Sequence, residues 1–298
     1  MRKWIQSFLL CLWALAGFNA CIMDIDKELP DCQPGTENPL AVTASLYCNG
    51  HRIEWPDSSR VGVILLQDAT DRFVYTPASK PYFLTDAATE LFAPLSDKEA
   101  VGPPQAGERY AAIGVYPYTL AVGEGLKAPF SIADQSDPAA LDLLAAKRTD
   151  PIGHDADTVH LDFYRQMSRL LFSLSLTEID PEGGHRQADE KLAGATVEIE
   201  GMDISAVFSW HDFLLTTSHP AAFQARMQPD GRSAEAIVYP RAARSGVTFK
   251  VTLPQHPDTV YTLAMDPALE LAACKGYTFA LPLEYRQKEG TNPPGPAT

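Results

Sequence analysis

The chain has 298 residues, 45% hydrophobic and 21% charged, a balance that excludes wholesale disorder and collagen-like repeats. A formal net charge of -14 repels phosphate backbones, so nucleic acid is not an expected partner, and it opposes a bare anionic membrane unless a covalent anchor is present. The 19 Gly and 24 Pro residues punctuate short apolar runs, which favours β-structure over a helical bundle.

At the N-terminus, Arg2 and Lys3 precede an apolar run from Trp4 to Ala16 broken only by Gln6 and Ser7. A basic segment followed by an apolar stretch of this length is a secretory signal, too short to span a bilayer. Ala14-Leu15-Ala16 fits ordinary signal peptidase; the alternative is cleavage after Ala20, with lipid added to Cys21. A cysteine directly after a signal region favours the lipoprotein reading, which gives a signal peptide over 1–20 and a lipidated tether over 21–40. That tether is polar and carries Pro30, Pro34 and Pro39, so an extended course is expected. With Cys11 removed and Cys21 acylated, Cys32, Cys48 and Cys274 remain, and an oxidising compartment allows one pair. Cys32–Cys48 is the local candidate.

Further along, strands are expected around Val42–Cys48, Val61–Leu66, Ile113–Tyr118 and Val197–Glu200. Val247, Phe249, Val251 and Leu253 alternate with polar residues, as do Tyr277, Phe279, Leu281 and Leu283 with Thr278, Ala280 and Pro282. Pro282 cannot donate to a ladder, which places its strand at a sheet edge. Val159, Leu161 and Phe163 alternate on odd numbers, and Leu170, Phe172, Leu174 and Leu176 on even ones. The change of phase predicts a bulge or break within Tyr164–Ser168. Asp137-Pro138 caps one short helix over Ala139–Leu144, and Arg186–Ala193 is a second candidate. A turn-rich Asp150-Pro151-Ile152-Gly153 suggests a boundary near 155, dividing 41–155 from 156–286. Residues 287–298 form a Pro-rich tail with no apolar pattern.

Chemistry-bearing motifs are sparse. His154, Asp155, Asp157 and His160 could ligate zinc or calcium, but a strand beginning at Val159 would separate His160 from the loop residues, and a solvated loop is the preferred reading. Trp210-His211-Asp212 suggests a His–carboxylate pair, yet neighbours on a strand face opposite ways and no nucleophile motif accompanies them. Tyr110, Tyr116, Tyr118 and Trp55 could line a sugar-binding surface, although core or rim positions are the commoner use of such rings. No catalytic residue, metal site or cofactor is assigned.

Four stretches, in order, resemble the fimbrillin family of lipoprotein pilins. These are Trp55-Pro56-Asp57-Ser58-Ser59-Arg60-Val61-Gly62-Val63, Ala112-Ile113-Gly114-Val115-Tyr116-Pro117-Tyr118, Asp142-Leu143-Leu144-Ala145-Ala146, and Val159-His160-Leu161-Asp162-Phe163-Tyr164-Arg165-Gln166-Met167-Ser168-Arg169-Leu170. The family's histidine in the last stretch falls at Arg165, and its Gly-Asp in the first is replaced by Ser58-Ser59. The resemblance implies an all-β protein of two tandem transthyretin-like β-sandwich domains with one or two short helices. It also implies a non-enzymatic lipoprotein of the outer-membrane surface, assembled with other fimbrial subunits by strand addition and mediating adhesion to a host glycan or protein. In that scheme a protease removes the first strand, here Val42–Tyr47, by cutting after Arg52 or Arg60. A Cys32–Cys48 bridge would leave with the strand. The chain ends soon after Tyr277–Leu283, so an accessory or tip role stands beside a stalk role. The rival reading is a carbohydrate-binding surface lipoprotein that does not polymerise.

Overall fold

The computed structural model describes residues 39–75, 78–243 and 246–286. Within them the chain is almost entirely β, in three sheets. Cys21, Cys32 and the tail 287–298 lie outside the described residues.

The first sheet contains β1 (Ala41–Cys48), β2 (His51–Ile53), β3 (Arg60–Gln67), β4 (Ser79–Asp86), β5 (Leu91–Pro94), β6 (Tyr110–Tyr116), β8 (Leu144–Ala146) and β9 (Thr158–Arg165). Their order is β2-β1-β5-β4-β3-β6-β8-β9, and a parallel pairing of β1 with β9 joins the ends. This sheet therefore closes on itself as a barrel, with the β1–β2 hairpin attached. Its interior is filled by alternate residues: Val42, Ala44 and Leu46 of β1, Val61, Val63 and Leu65 of β3, and Val159, Leu161 and Phe163 of β9. Gly114 of β6 lies against Phe163, where a Cβ would come within 2.3 Å of the ring.

The opposite faces of β3 and β6 are also covered. Ile64, Leu66, Ile113 and Val115 belong to a second apolar core, which explains why Val61–Leu66 reads as a continuous apolar run. That core lies mainly between the other two sheets. One contains β10 (Ser168–Ile179), β11 (His185–Gln187), β14 (Arg226–Met227), β15 (Ser233–Val238) and β18 (Gly276–Arg286). The other contains β7 (Lys127–Ser131), β12 (Thr196–Ser209), β13 (Leu214–Gln224), β16 (Thr248–Leu253) and β17 (His256–Ala264). Phe172 of β10, Phe249 of β16 and Phe279 of β18 meet between them, with ring centroids 4.9–5.7 Å apart. β18 runs parallel to β10 from Gly276 to Arg286 and, among the described residues, pairs with no other strand, so Pro282 sits on an edge as its missing N–H requires.

Sheet membership does not change near 155. Closing the barrel takes β9, so the chain leaves the first sheet at Gln166, inside the stretch where the apolar phase changes. The phase change is a crossing between sheets, not a bulge within one strand. β7, from the N-terminal part of the chain, pairs with β12 of the third sheet. The expected helix after Asp137 is a single turn, α1 (Pro138–Leu141), with the Asp137 side chain accepting from the Ala139 amide. It stops because Asp142 pairs with Arg165 and Leu144 enters β8. The second helix candidate is strand β11 followed by a 3-10 turn, Asp189–Leu192.

Candidate functional site: the first strand and its groove

Alternation along β1 sends Val42, Ala44 and Leu46 into the barrel, each fully buried, and Thr43, Ser45 and Tyr47 outward. Along one edge β1 runs parallel to β9, from Ala41 opposite Thr158 to Tyr47 opposite Tyr164. Along the other it meets β5 through Val42–Phe92 and Thr43–Leu91, then β2 through Leu46–Ile53, Tyr47–Arg52 and Cys48–His51. A strand near the chain's N-terminal end thus fills a slot between two partners. Trp55, from the β2–β3 connection, secures it. The indole is 6% exposed, its N–H donates to the Ala44 carbonyl, and its edge contacts lie with Phe92 at 5.3 Å and Phe163 at 5.4 Å.

The outer face of the strand is polar. Ser45 donates to Glu90 at 2.7 Å, Arg52 donates to the same carboxylate at 2.9 Å, and Thr43 bonds the His160 ring at 2.8 Å. His160 also reaches Asp162 at 3.1 Å. Burial pushes the Glu90 carboxyl up, but bonds from Arg52 and Ser45 and the charge of Arg52 outweigh it and hold it below its ordinary value. These groups satisfy one another. His160 Nε2 meets Ser45 at 3.4 Å as well as Asp162, while Nδ1 meets Thr43, so the ring ties β1 to its own strand β9.

The residues singled out in the sequence distribute as follows. Arg52 lies in the β1–β2 hairpin, paired with Glu90. Arg60 opens β3, exposed, directly after the Pro56–Ser59 turn in which Ser58 has φ 63°. Both follow β1 in the chain, one on each side of Trp55. Cys48 is bonded to Cys274, 226 residues away, which corrects the expected Cys32–Cys48 pairing. The reason is tertiary: the Asn49-Gly50 tip of the hairpin, with φ 49° and 79°, docks on the turn that leads into β18. There Asn49 donates to the Cys274 carbonyl, and the Cys274 amide donates to Met167.

The His/Asp cluster is not assembled. His154 bonds the Pro104 carbonyl while His160 faces β1, and among the described residues no three His, Cys, Asp or Glu side chains are grouped to hold a metal. Trp210 is buried, donating to the Gly114 carbonyl, and the Asp212 carboxyl is held low by a Ser209 hydrogen bond, not by His211. Of the aromatic set, Trp55 and Tyr110 are core residues. A different group is brought together: Tyr47 stacks on Tyr164, Phe213 stands edge-on to Tyr164, and Lys147 lies over both Tyr164 and Phe213. No local pattern signals this cluster, because it joins β1, β9 and the turn after β12.

A closed barrel whose first strand fills a slot between two partners, joined to a two-sheet sandwich, defines an all-β protein. The fimbrillin-like family model matches residues 54–293, and the chain belongs to that family. Among solved structures it is similar to a candidate cell adhesion protein from Bacteroides uniformis, 18% identical, with a TM-score of 0.62 over 84% of this chain and 94% of that one. A second candidate cell adhesion protein, from Bacteroides ovatus, is also 18% identical, with a TM-score of 0.54 over 83% and 92%. At such identities the likeness concerns the fold alone. No curated protein matches the chain.

Proposed function

We propose that this chain is a non-enzymatic cell-surface subunit, carried outward as a lipoprotein on Cys21, that joins fimbriae by strand addition and takes part in adhesion. The observation that carries the reading is the position of β1. It inserts three apolar side chains into the barrel, pairs along both edges, and is followed by two arginines at which a protease can separate it. Its departure would leave the β9 and β5 edges unpaired and open pockets shaped for Val42, Ala44 and Leu46. An extended segment of a neighbouring subunit can fill that slot, with ladder bonds giving affinity and alternate side chains giving register. Family membership supports the fimbrial context, and the names of the structural neighbours support adhesion. The described residues contain no helix long and apolar enough to cross a membrane; the attachment proposed is the lipid on Cys21, read from the cysteine directly after the signal region.

The test is to treat purified precursor with a trypsin-like protease, with and without a dithiol reductant, and look for SDS-resistant ladders on a gel. Ladders support assembly; trimmed monomer alone under every condition, including after addition of a fimbrial stalk subunit, contradicts it. The Tyr47–Tyr164–Phe213 cluster favours a second reading, a glycan-binding lipoprotein that stays monomeric. Glycan-array binding by intact monomer, lost in Tyr164→Ala, would select it.

A further inference from the structure

The disulfide crosses the processing sites. Cys48 ends the strand that must leave, and Cys274 belongs to the body that must stay, while Arg52 and Arg60 both lie between them. Cutting either peptide bond therefore yields two chains still joined through sulfur. Whichever arginine is cut, the N-terminal piece contains Cys48 and the C-terminal piece contains Cys274. The bond is placed where it holds β1 in register: it fixes the hairpin tip, one residue beyond the Tyr47–Tyr164 pair that ends the parallel ladder. Both cysteines are half-buried at the surface, beside the exposed Asn49 and Lys275, so a reductant can approach.

We propose that Cys48–Cys274 is a latch on the strand slot, so that opening it requires thiol–disulfide exchange as well as proteolysis. The inference rests on the strand-addition reading above. A cut but latched subunit keeps β1 at a high effective concentration beside its own groove, and an incoming strand must compete with it. Release needs a dithiol reductant. One of its thiolates attacks either sulfur of the bridge, forming a mixed disulfide and freeing the other cysteine. Its second thiol then closes the reductant's own disulfide. Two electrons and two protons pass to the pair, and Cys48 and Cys274 part as thiols. The chain thus responds to two signals together, and oxidised it is a subunit that retains its own strand and terminates addition at that end.

The experiment uses the soluble mature chain with Cys21→Ser and Cys32→Ser, the latter excluding disulfide rearrangement. A site for a sequence-specific protease is inserted between Asp57 and Ser58, so that cutting does not depend on Arg52 or Arg60. The probe is a fluorescent peptide of residues 39–50 with Cys48→Ser, and its uptake by cut protein is measured with and without dithiothreitol. Uptake faster by at least about tenfold after reduction, with the oxidised rate rising to match in a Cys274→Ser variant, is the expected result. Equal uptake by oxidised and reduced protein overturns the latch and leaves strand addition standing. No uptake under any condition, with β1 still bound after cutting and reduction, overturns strand addition and the latch with it.

Discussion

Replacing Trp55 by alanine tests how β1 is held. The indole is 6% exposed, packs its edge on Phe92 and Phe163, and donates to the Ala44 carbonyl in the middle of β1. Truncating a buried aromatic to alanine typically costs about 3–5 kcal/mol, and leaving a buried carbonyl without its donor adds about 1 kcal/mol, so Trp55→Ala should lose about 5 kcal/mol. Trp55→Phe keeps most of the ring and loses the N–H, and should lose only about 1–2 kcal/mol. Urea unfolding followed by far-ultraviolet circular dichroism and by Trp210 emission gives both values. With a slope of about 2–3 kcal/mol per M, the alanine variant's midpoint should fall by roughly 2 M. A loss below about 1 kcal/mol for Trp55→Ala would refute the claim that this side chain bolts the strand into the barrel. The position also separates the two cuts: cleavage after Arg52 leaves Trp55 in the core, whereas cleavage after Arg60 removes it with the strand.

Other outcomes follow from the same contacts. Arg60→Gln should slow trypsin-like processing of the folded precursor more than Arg52→Gln, because the Arg52 side chain is held by Glu90 while Arg60, although paired with Phe83 at the first position of β3, directly follows an exposed turn; mass spectrometry of the fragments decides. In the uncut chain, Cys274→Ser should cost about 2–4 kcal/mol, since the bridge closes a loop of more than 200 residues; equal midpoints for oxidised and reduced wild type would contradict this. The Glu178 carboxyl is buried and held low by hydrogen bonds from Lys191 and Arg186 against its burial, and Glu90 is held low by the cause given above. Both folded values lie below the unfolded one, so their contribution is complete above about pH 4.5 and is lost as pH falls through the folded values. Urea midpoints across that acid range should flatten in a Glu90→Gln, Glu178→Gln double variant. Gly201→Ala should destabilise strongly, because φ is 79° and the new Cβ would lie 1.8 Å from the Gly246 carbonyl oxygen; a thermal melt matching wild type would refute that.

Elements written in local periodicity were legible in the sequence. The strands at Val42–Cys48, Val247–Leu253 and Tyr277–Leu283 follow from side-chain alternation, which depends only on the pleat. So does the break before Ser168. Ladder partners are not local quantities. Nothing around Ala41–Tyr47 announces a parallel partner more than 100 residues away, and nothing around Lys127–Ser131 announces pairing with β12. Asp142–Leu144 read as the end of a helix because the apolar residues there fit either period; the Asp142–Arg165 ion pair and the ladder of Leu144 to β6 and β9 decide it. Cys48 illustrates the same limit. Proximity in sequence favoured Cys32, whereas the contact of the hairpin tip with Cys274 is made by the tertiary fold. The first strand was legible as a strand, but the Trp55 clamp and the Tyr47–Tyr164–Phe213 cluster were not, since each joins separate elements.

The most direct measurement is amide hydrogen exchange on β9 after β1 has been cut, reduced and separated from the body. If function resides in the slot, amides of Thr158–Arg165 that bond β1 should lose protection, then regain it when the 39–50 peptide is added, while β10 stays protected throughout. Unchanged protection across Thr158–Arg165 once β1 is gone would mean that the barrel closes on itself without it, leaving no groove for a partner's strand.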